Sequence, residues 1–180
     1  EYLGGSKADN IFINAHGGTT EYRYGDGTLA DESSGINLGG TNVTGRSLQL
    51  YNEGKMDELQ NHHSGAKQAI EALQSISGMI NDGKNLIFGS CNTGIDDRVG
   101  QYISQMNPNI DVFLSKDLYN IKHSGKTKTT SFQNFTSPAI RRQEYRQGIS
   151  RFKGGKLQET GINIQMNNTN GVRIIRPKLN

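Results

Sequence analysis

The sequence predicts an α/β fold: a mostly parallel sheet flanked by helices, with a small antiparallel C-terminal addition, follows from three observations. Short apolar runs, Ile11-Phe12-Ile13, Leu86-Ile87-Phe88 and Val112-Phe113-Leu114, read as buried strands. Between these runs, apolar residues recur at spacings of three and four, as on a helix face: Ala66, Ala69, Ile70, Leu73, Ile76 and Ile80, then Val99, Tyr102, Ile103 and Met106. Strands alternating with helices build parallel sheets. After Ser115 the helical spacing disappears, and the strand-like segments 162–166 and 172–175, joined by Asn168-Thr169-Asn170-Gly171, predict a hairpin.

Taken in order, Asn10 to Asn14 forms a strand stopped by Gly17-Gly18, which leaves Ala15-His16 at its carboxyl end. Residues 19–45 are polar and glycine-rich and predict loops with short strands, with Gly25-Asp26-Gly27 as a hairpin-like turn. Leu48 to Leu59 is expected to hold a strand and a turn. Gly65 to Ile80 is a helix ended by Asn81-Asp82-Gly83, and a second helix starts near Ile95 and runs to Met106. Ile110 to Leu114 follows as a strand. A chain of 180 residues suits one domain. Its core is expected over about 10–114, with the basic and β-rich tail 115–180 in the same domain, because the first part offers few strands for a covered sheet.

Only 32% of residues are hydrophobic and 23 are glycine, which predicts long polar loops around a modest core. The net charge of +3 arises from 20 basic and 17 acidic residues, too small an excess for a general polyanion-binding surface, and this argues against nucleic acid. Basic residues do gather between Lys116 and Lys156, as a solvated face or as a surface for an acidic partner. No stretch reaches the roughly 20 apolar residues of a membrane span, so no membrane partner is expected. A single cysteine forms no intramolecular disulfide. The first residue is Glu1, which suggests a piece released from a longer polypeptide, such as an effector or toxin module that is secreted or delivered into a target cell.

That cysteine, Cys91, stands in Asn85-Leu86-Ile87-Phe88-Gly89-Ser90-Cys91-Asn92-Thr93-Gly94, just after an apolar strand. In open α/β sheets chemistry collects beyond the carboxyl ends of the strands. His16 and Cys91 both fall there, and on neighbouring strands they would meet as base and nucleophile. A free thiol is only a few per cent thiolate near neutrality, so an imidazole or a helix N-terminus beside it matters. The helix after Cys91 is expected to point its N-terminus back at the thiol. The N–H groups of Gly17 and Cys91 are then candidates for an oxyanion hole. The competing reading of Cys91 is a small buried hydrophobe.

The motifs IFINAHGG and NLIFGSCNTG, in that order, resemble those of the caspase-like superfamily (clan CD) of cysteine peptidases, which includes caspases, gingipains, clostripain-like enzymes, separases and CHAT domains. The second motif is most similar to the Ser-Ala-Cys-x-Thr-Gly form of CHAT domains. The resemblance covers about residues 10–114. It implies a caspase-like sheet and a cysteine endopeptidase acting on protein substrates without a cofactor. His16 would move the proton, Cys91 would form a thioester, and the Gly17 and Cys91 N–H groups would hold the oxyanion. The resemblance also places the substrate pocket at loops 92–97 and 115–119, where Asn92 is a candidate contact and Asp117 would pair a substrate Arg or Lys. Lys116 beside it argues for an acidic residue instead, and Asp96 and Asp97 read as helix caps. Other classes remain open: a catalytically inactive caspase-like interaction domain bound to its parent polypeptide or a regulatory partner, and a nucleic-acid-binding toxin domain using the basic tail. Adjacent His62 and His63 point apart and lack further ligands, so no metal is expected. Neither phosphate-binding glycine motif is present.

Overall fold

The computed structural model describes residues 6–116, 119–124, 129–134, 148–167 and 171–176, with backbone alone for 119–124, 129–134 and 167. In chain order the elements are β1 (Ala8–Asn14), β2 (Gly17–Arg23), β3 (Leu29–Leu38), β4 (Thr41–Thr44), α1 (Gly45–Asn52), α2 (Met56–His62), α3 (Ala66–Gly78), β5 (Ile80–Gly89), α4 (Asp97–Met106), β6 (Asp111–Ser115), β7 (Tyr119–Ser124), β8 (Thr129–Asn134), β9 (Ile149–Lys153), β10 (Lys156–Asn167) and β11 (Val172–Ile175). The fold is mixed α/β. Its main sheet runs β1-β5-β6-β9-β10-β8-β7, with β11 also on β10, and a separate sheet runs β2-β3-β4.

Strands β1, β5 and β6 are parallel, as their apolar runs predict, and the crossover from β5 to β6 is α4. Beyond β6 the sheet turns antiparallel: β9 lies against β6 with Phe152 opposite Val112 and Ser150 opposite Leu114. The antiparallel part comprises five strands, β7 to β11, among the described residues. Met166 opposite Val172 closes the expected C-terminal hairpin, whose turn residues 168–170 lie outside the description. Phe152 joins Ile70, Leu86, Val99, Val112 and Leu114 in the largest buried cluster. It lies over α4 where Gly100 has no side chain, and a β-carbon there would overlap its ring. Ile87, Phe113, Ile149, Ile162 and Ile164 form a second cluster, so alternate residues of β5 and β6 bury opposite faces of one sheet.

Three expectations are corrected. Leu48 to Leu59 holds the expected turn, at Glu53-Gly54, but no strand: the residues on either side lie in α1 and α2. Leu48 and Leu50 alternate like strand residues because they serve different clusters: Leu48 enters the main core, whereas Leu50 packs with Leu59 and Ala66. Thr44 starts α1, accepting from the Ser47 N–H while the Ser47 hydroxyl lies 2.8 Å from the Thr44 nitrogen. Second, Asn81-Asp82-Gly83 does not end a helix: α3 stops at Gly78, and Ile80 is already the first residue of β5. Ala8 pairs Ile80 and Asn10 pairs Asn85, so β5 bulges over these polar residues, with Gly83 at φ +75°. Third, residues 19–45 are mostly strand. The turn around Gly25-Asp26-Gly27 does form, with Gly27 at φ +85° and the Gly27 N–H on the Tyr24 carbonyl.

Candidate active site

In the parallel pairing of β1 with β5, Ile13 lies opposite Phe88 and Asn14 opposite Gly89. His16 and Cys91 each follow two residues beyond that last pair, so the register carries both off the sheet at the same edge. The chain then turns at His16 into β2, whose Gly17 pairs Ile36 of β3, and the Asn37 N–H donates to the His16 carbonyl at 2.8 Å. Gly17 packs against the Cys91 peptide. A β-carbon on Gly17 would overlap the Cys91 carbonyl oxygen and stand 2.5 Å from Thr93 Oγ1. His16 is exposed and Cys91 partly exposed, in contrast to the buried Ser90 and Thr93 on either side.

The loop that bears Cys91 is fastened at several points. The Gly94 N–H donates to the Ser115 carbonyl at 2.8 Å, and the Thr93 hydroxyl donates to Ser90 Oγ at 2.5 Å. Asn92 has φ +56°, the left-handed conformation, and among the described residues it is the one non-glycine residue with positive φ. Asparagine bears this conformation better than most residues, which suits a tight corner directly after Cys91. On the far side of the loop, the Asp96 side chain accepts from the Arg98 N–H at 3.0 Å and caps α4. α4 thus begins at Asp97, with the Asp96 carboxylate at its positive end.

Asp96 belongs to a network that the sequence did not reveal. Arg98 donates to both oxygens of Asp96 and to both oxygens of Asp31 on β3, at 2.7–3.0 Å. The Arg98 contacts hold the Asp31 carboxyl below its ordinary value, and the two carboxylates hold the guanidinium still more firmly protonated. Ser33 donates to Asp96 at 2.5 Å, and Ser34 donates to the Thr93 carbonyl at 2.9 Å. These contacts join residues about 60 positions apart, which no local pattern announces.

Of the remaining candidates, Asp117 lies outside the described residues, so its place relative to Cys91 is not part of the geometry. Lys116 stands 2.9 Å from Asp97, and the pair partly neutralises the charge that argued for an acidic substrate. Asp97 is thus an ion-pair partner in the first turn of α4, and Asp96 is its cap. Among the described residues no group of three or more potential ligands could hold a metal. No helix among them is long and apolar enough to cross a membrane.

Two cavities border the small sheet. One of about 180 Å³ is lined by His16, Gly17, Gly18, Thr20, Asn37 and Asn42, among others, and opens beside the imidazole. A larger one of about 420 Å³ lies further along β2, against Tyr22, Asp31, Arg46, Glu58, His62 and His63. Cys91 lines neither.

Compared with protein-family models, with curated proteins and with solved structures, the chain matches none.

His63 yields a prediction of its own. Its ring lies 4.8 Å from that of Tyr22, and burial, then the neighbouring His62, lower its pKa from 6.5 to about 4. The unfolded chain takes up a proton near pH 6.5, whereas the folded one resists until about pH 4. Stability is therefore expected to fall as pH drops through that window and to be unaffected by this group above it. Allowing for solvent screening, the loss should be on the order of 1–2 kcal/mol. Urea midpoints at pH 7 and pH 4.5 check this: His63→Leu should lose less stability between the two than the parent protein, and equal losses would remove His63 from the account.

Proposed function

We propose that the protein is a cysteine endopeptidase of caspase-like type that uses a Cys91–His16 dyad. What carries this reading is the register that brings the His16-Gly17 corner against the Cys91 peptide at the carboxyl ends of adjacent parallel strands. Partial exposure of Cys91 favours a reactive thiol over buried filler. In the reaction, the Cys91 sulfur bonds to the substrate carbonyl carbon, and His16 accepts the thiol proton. The peptide C–N bond then breaks, with the proton passing from His16 to the leaving amine. Water, deprotonated by His16, adds to the thioester and releases the acid and the thiol. The N–H groups of Gly17 and Cys91 would stabilise the oxyanion in both halves. The substrate is a protein segment, and no cofactor enters.

For specificity we propose cleavage after Arg or Lys, with Asp117 as the pocket carboxylate and Asn92 as a further contact. The ion pair between Lys116 and Asp97 supports this over an acidic preference, since it engages the competing cation. A cation entering a partly desolvated pocket needs an opposite charge. Profiling a peptide library tests the activity and the preference together. The expected result is cleavage after basic residues, with Asp117→Asn lowering kcat/KM on those substrates by about 100-fold, a loss of roughly 3 kcal/mol. Cleavage confined to acidic or aliphatic positions would remove Asp117 from the pocket. Absence of any cleavage would favour an inactive interaction domain.

A further inference from the structure

We infer that Ser34, with Ser33 beside it, is a positioning residue for Cys91, acting through residues 93–96; this assignment rests on the cysteine-peptidase reading. Ser34 is buried, and its one hydroxyl is used twice: it donates to the Thr93 carbonyl at 2.9 Å and accepts from the Asp96 N–H at 2.8 Å. A hydroxyl suits this place because it donates and accepts at the same atom. An alanine would do neither, and would withdraw a partner from the buried Thr93 carbonyl and from the part-buried Asp96 N–H. Ser33 supports the same point from the side, donating to Asp96 Oδ2 at 2.5 Å and accepting from the Arg46 N–H at 3.0 Å.

The consequence lies in what else β3 holds. Asn37 on the same strand donates to the His16 carbonyl, and Ile36 pairs Gly17. Asp31, also on β3, reaches Asp96 through Arg98. One strand therefore grips the His16 corner near its end and the Cys91 loop near its middle, and the distance between base and nucleophile is set by β3 as well as by the β1–β5 register. Between Ser34 and His16 the strand is narrow by necessity: a β-carbon on Gly35 would stand 2.5 Å from the Val43 carbonyl oxygen and 2.8 Å from the Thr44 Cα. The small sheet is thus a spacer that measures the dyad.

The test is the pH profile of Cys91 alkylation by iodoacetamide, measured on the intact protein and on His16→Ala, Ser34→Ala and Ser33→Ala, with kcat and KM for a cleaved peptide. The expected result is a parent profile that changes when His16 is removed. Ser34→Ala should move the profile toward that of His16→Ala and lower kcat about 10- to 100-fold, with KM nearly unchanged. Ser33→Ala should do the same to a smaller degree. A merely structural role would lower the melting temperature and leave profile and kcat as in the parent. That outcome for Ser34→Ala overturns the inference and leaves the dyad standing. One profile shared by the parent and His16→Ala overturns the dyad, and this inference with it. Should Ser34→Ala not fold, Ser33→Ala decides, and a parental profile and kcat in that variant overturn the inference.

Discussion

Cys91→Ala and His16→Ala are each expected to reduce kcat for peptide cleavage by about 10⁴-fold or more, with circular dichroism and melting temperature close to the parent. The size of the effect follows from the chemistry. Without the sulfur no thioester forms, and without the imidazole no base takes the thiol proton and no acid gives one to the leaving amine. Neither side chain is part of the buried core, since His16 is exposed and Cys91 partly so, which is why the fold should survive. The two losses should not add. The double variant should be no slower than the worse single one, because the groups act as a unit. Retention of most of the activity in either single variant would remove the dyad.

Gly17→Ala should also be damaging, to a smaller degree, although it removes no chemical group. The added methyl would overlap the Cys91 carbonyl oxygen and crowd Thr93 Oγ1, and the first of these is backbone that cannot rotate away. Relief requires the His16-Gly17 corner or the Cys91 loop to move. Displacements of about 1 Å between reacting groups cost on the order of 100-fold. The fold should lose about 1–3 kcal/mol through overpacking. Kinetics and urea unfolding of the one variant measure both. Gly18→Ala is the control, since nothing lies within 4 Å of a β-carbon there. Equal activity of the two variants would mean that the close approach of Gly17 to Cys91 has no bearing on turnover.

Several elements could be read from local pattern because burial and secondary structure imposed the same periodicity. The stripe from Ala66 to Ile76 is a helix because one face meets the core, and the runs ending at Asn14 and Gly89 are strands covered on both faces. Leu48 and Leu50 misled because α1 buries two faces in two clusters, which imitates the alternation of a strand. Ser33, Ser34 and Gly35 gave no strand signal because the side of β3 that packs on the Cys91 loop is closed by hydrogen bonds rather than by apolar contact.

The sequence by itself determined which residues stand at the carboxyl ends of the first two parallel strands, because an apolar run followed by glycine or serine fixes where a strand stops: His16 after Ile13, Cys91 after Phe88. It also determined the α/β class through the alternation of strand and helix patterns. The tertiary structure decided that those strands are neighbours, since strand order depends on packing between segments some 75 residues apart. It decided as well that β3 holds both sides of the site. Those contacts are single hydrogen bonds from small polar side chains, and such bonds carry no periodicity; they exist only once the chain has folded and excluded water from around them.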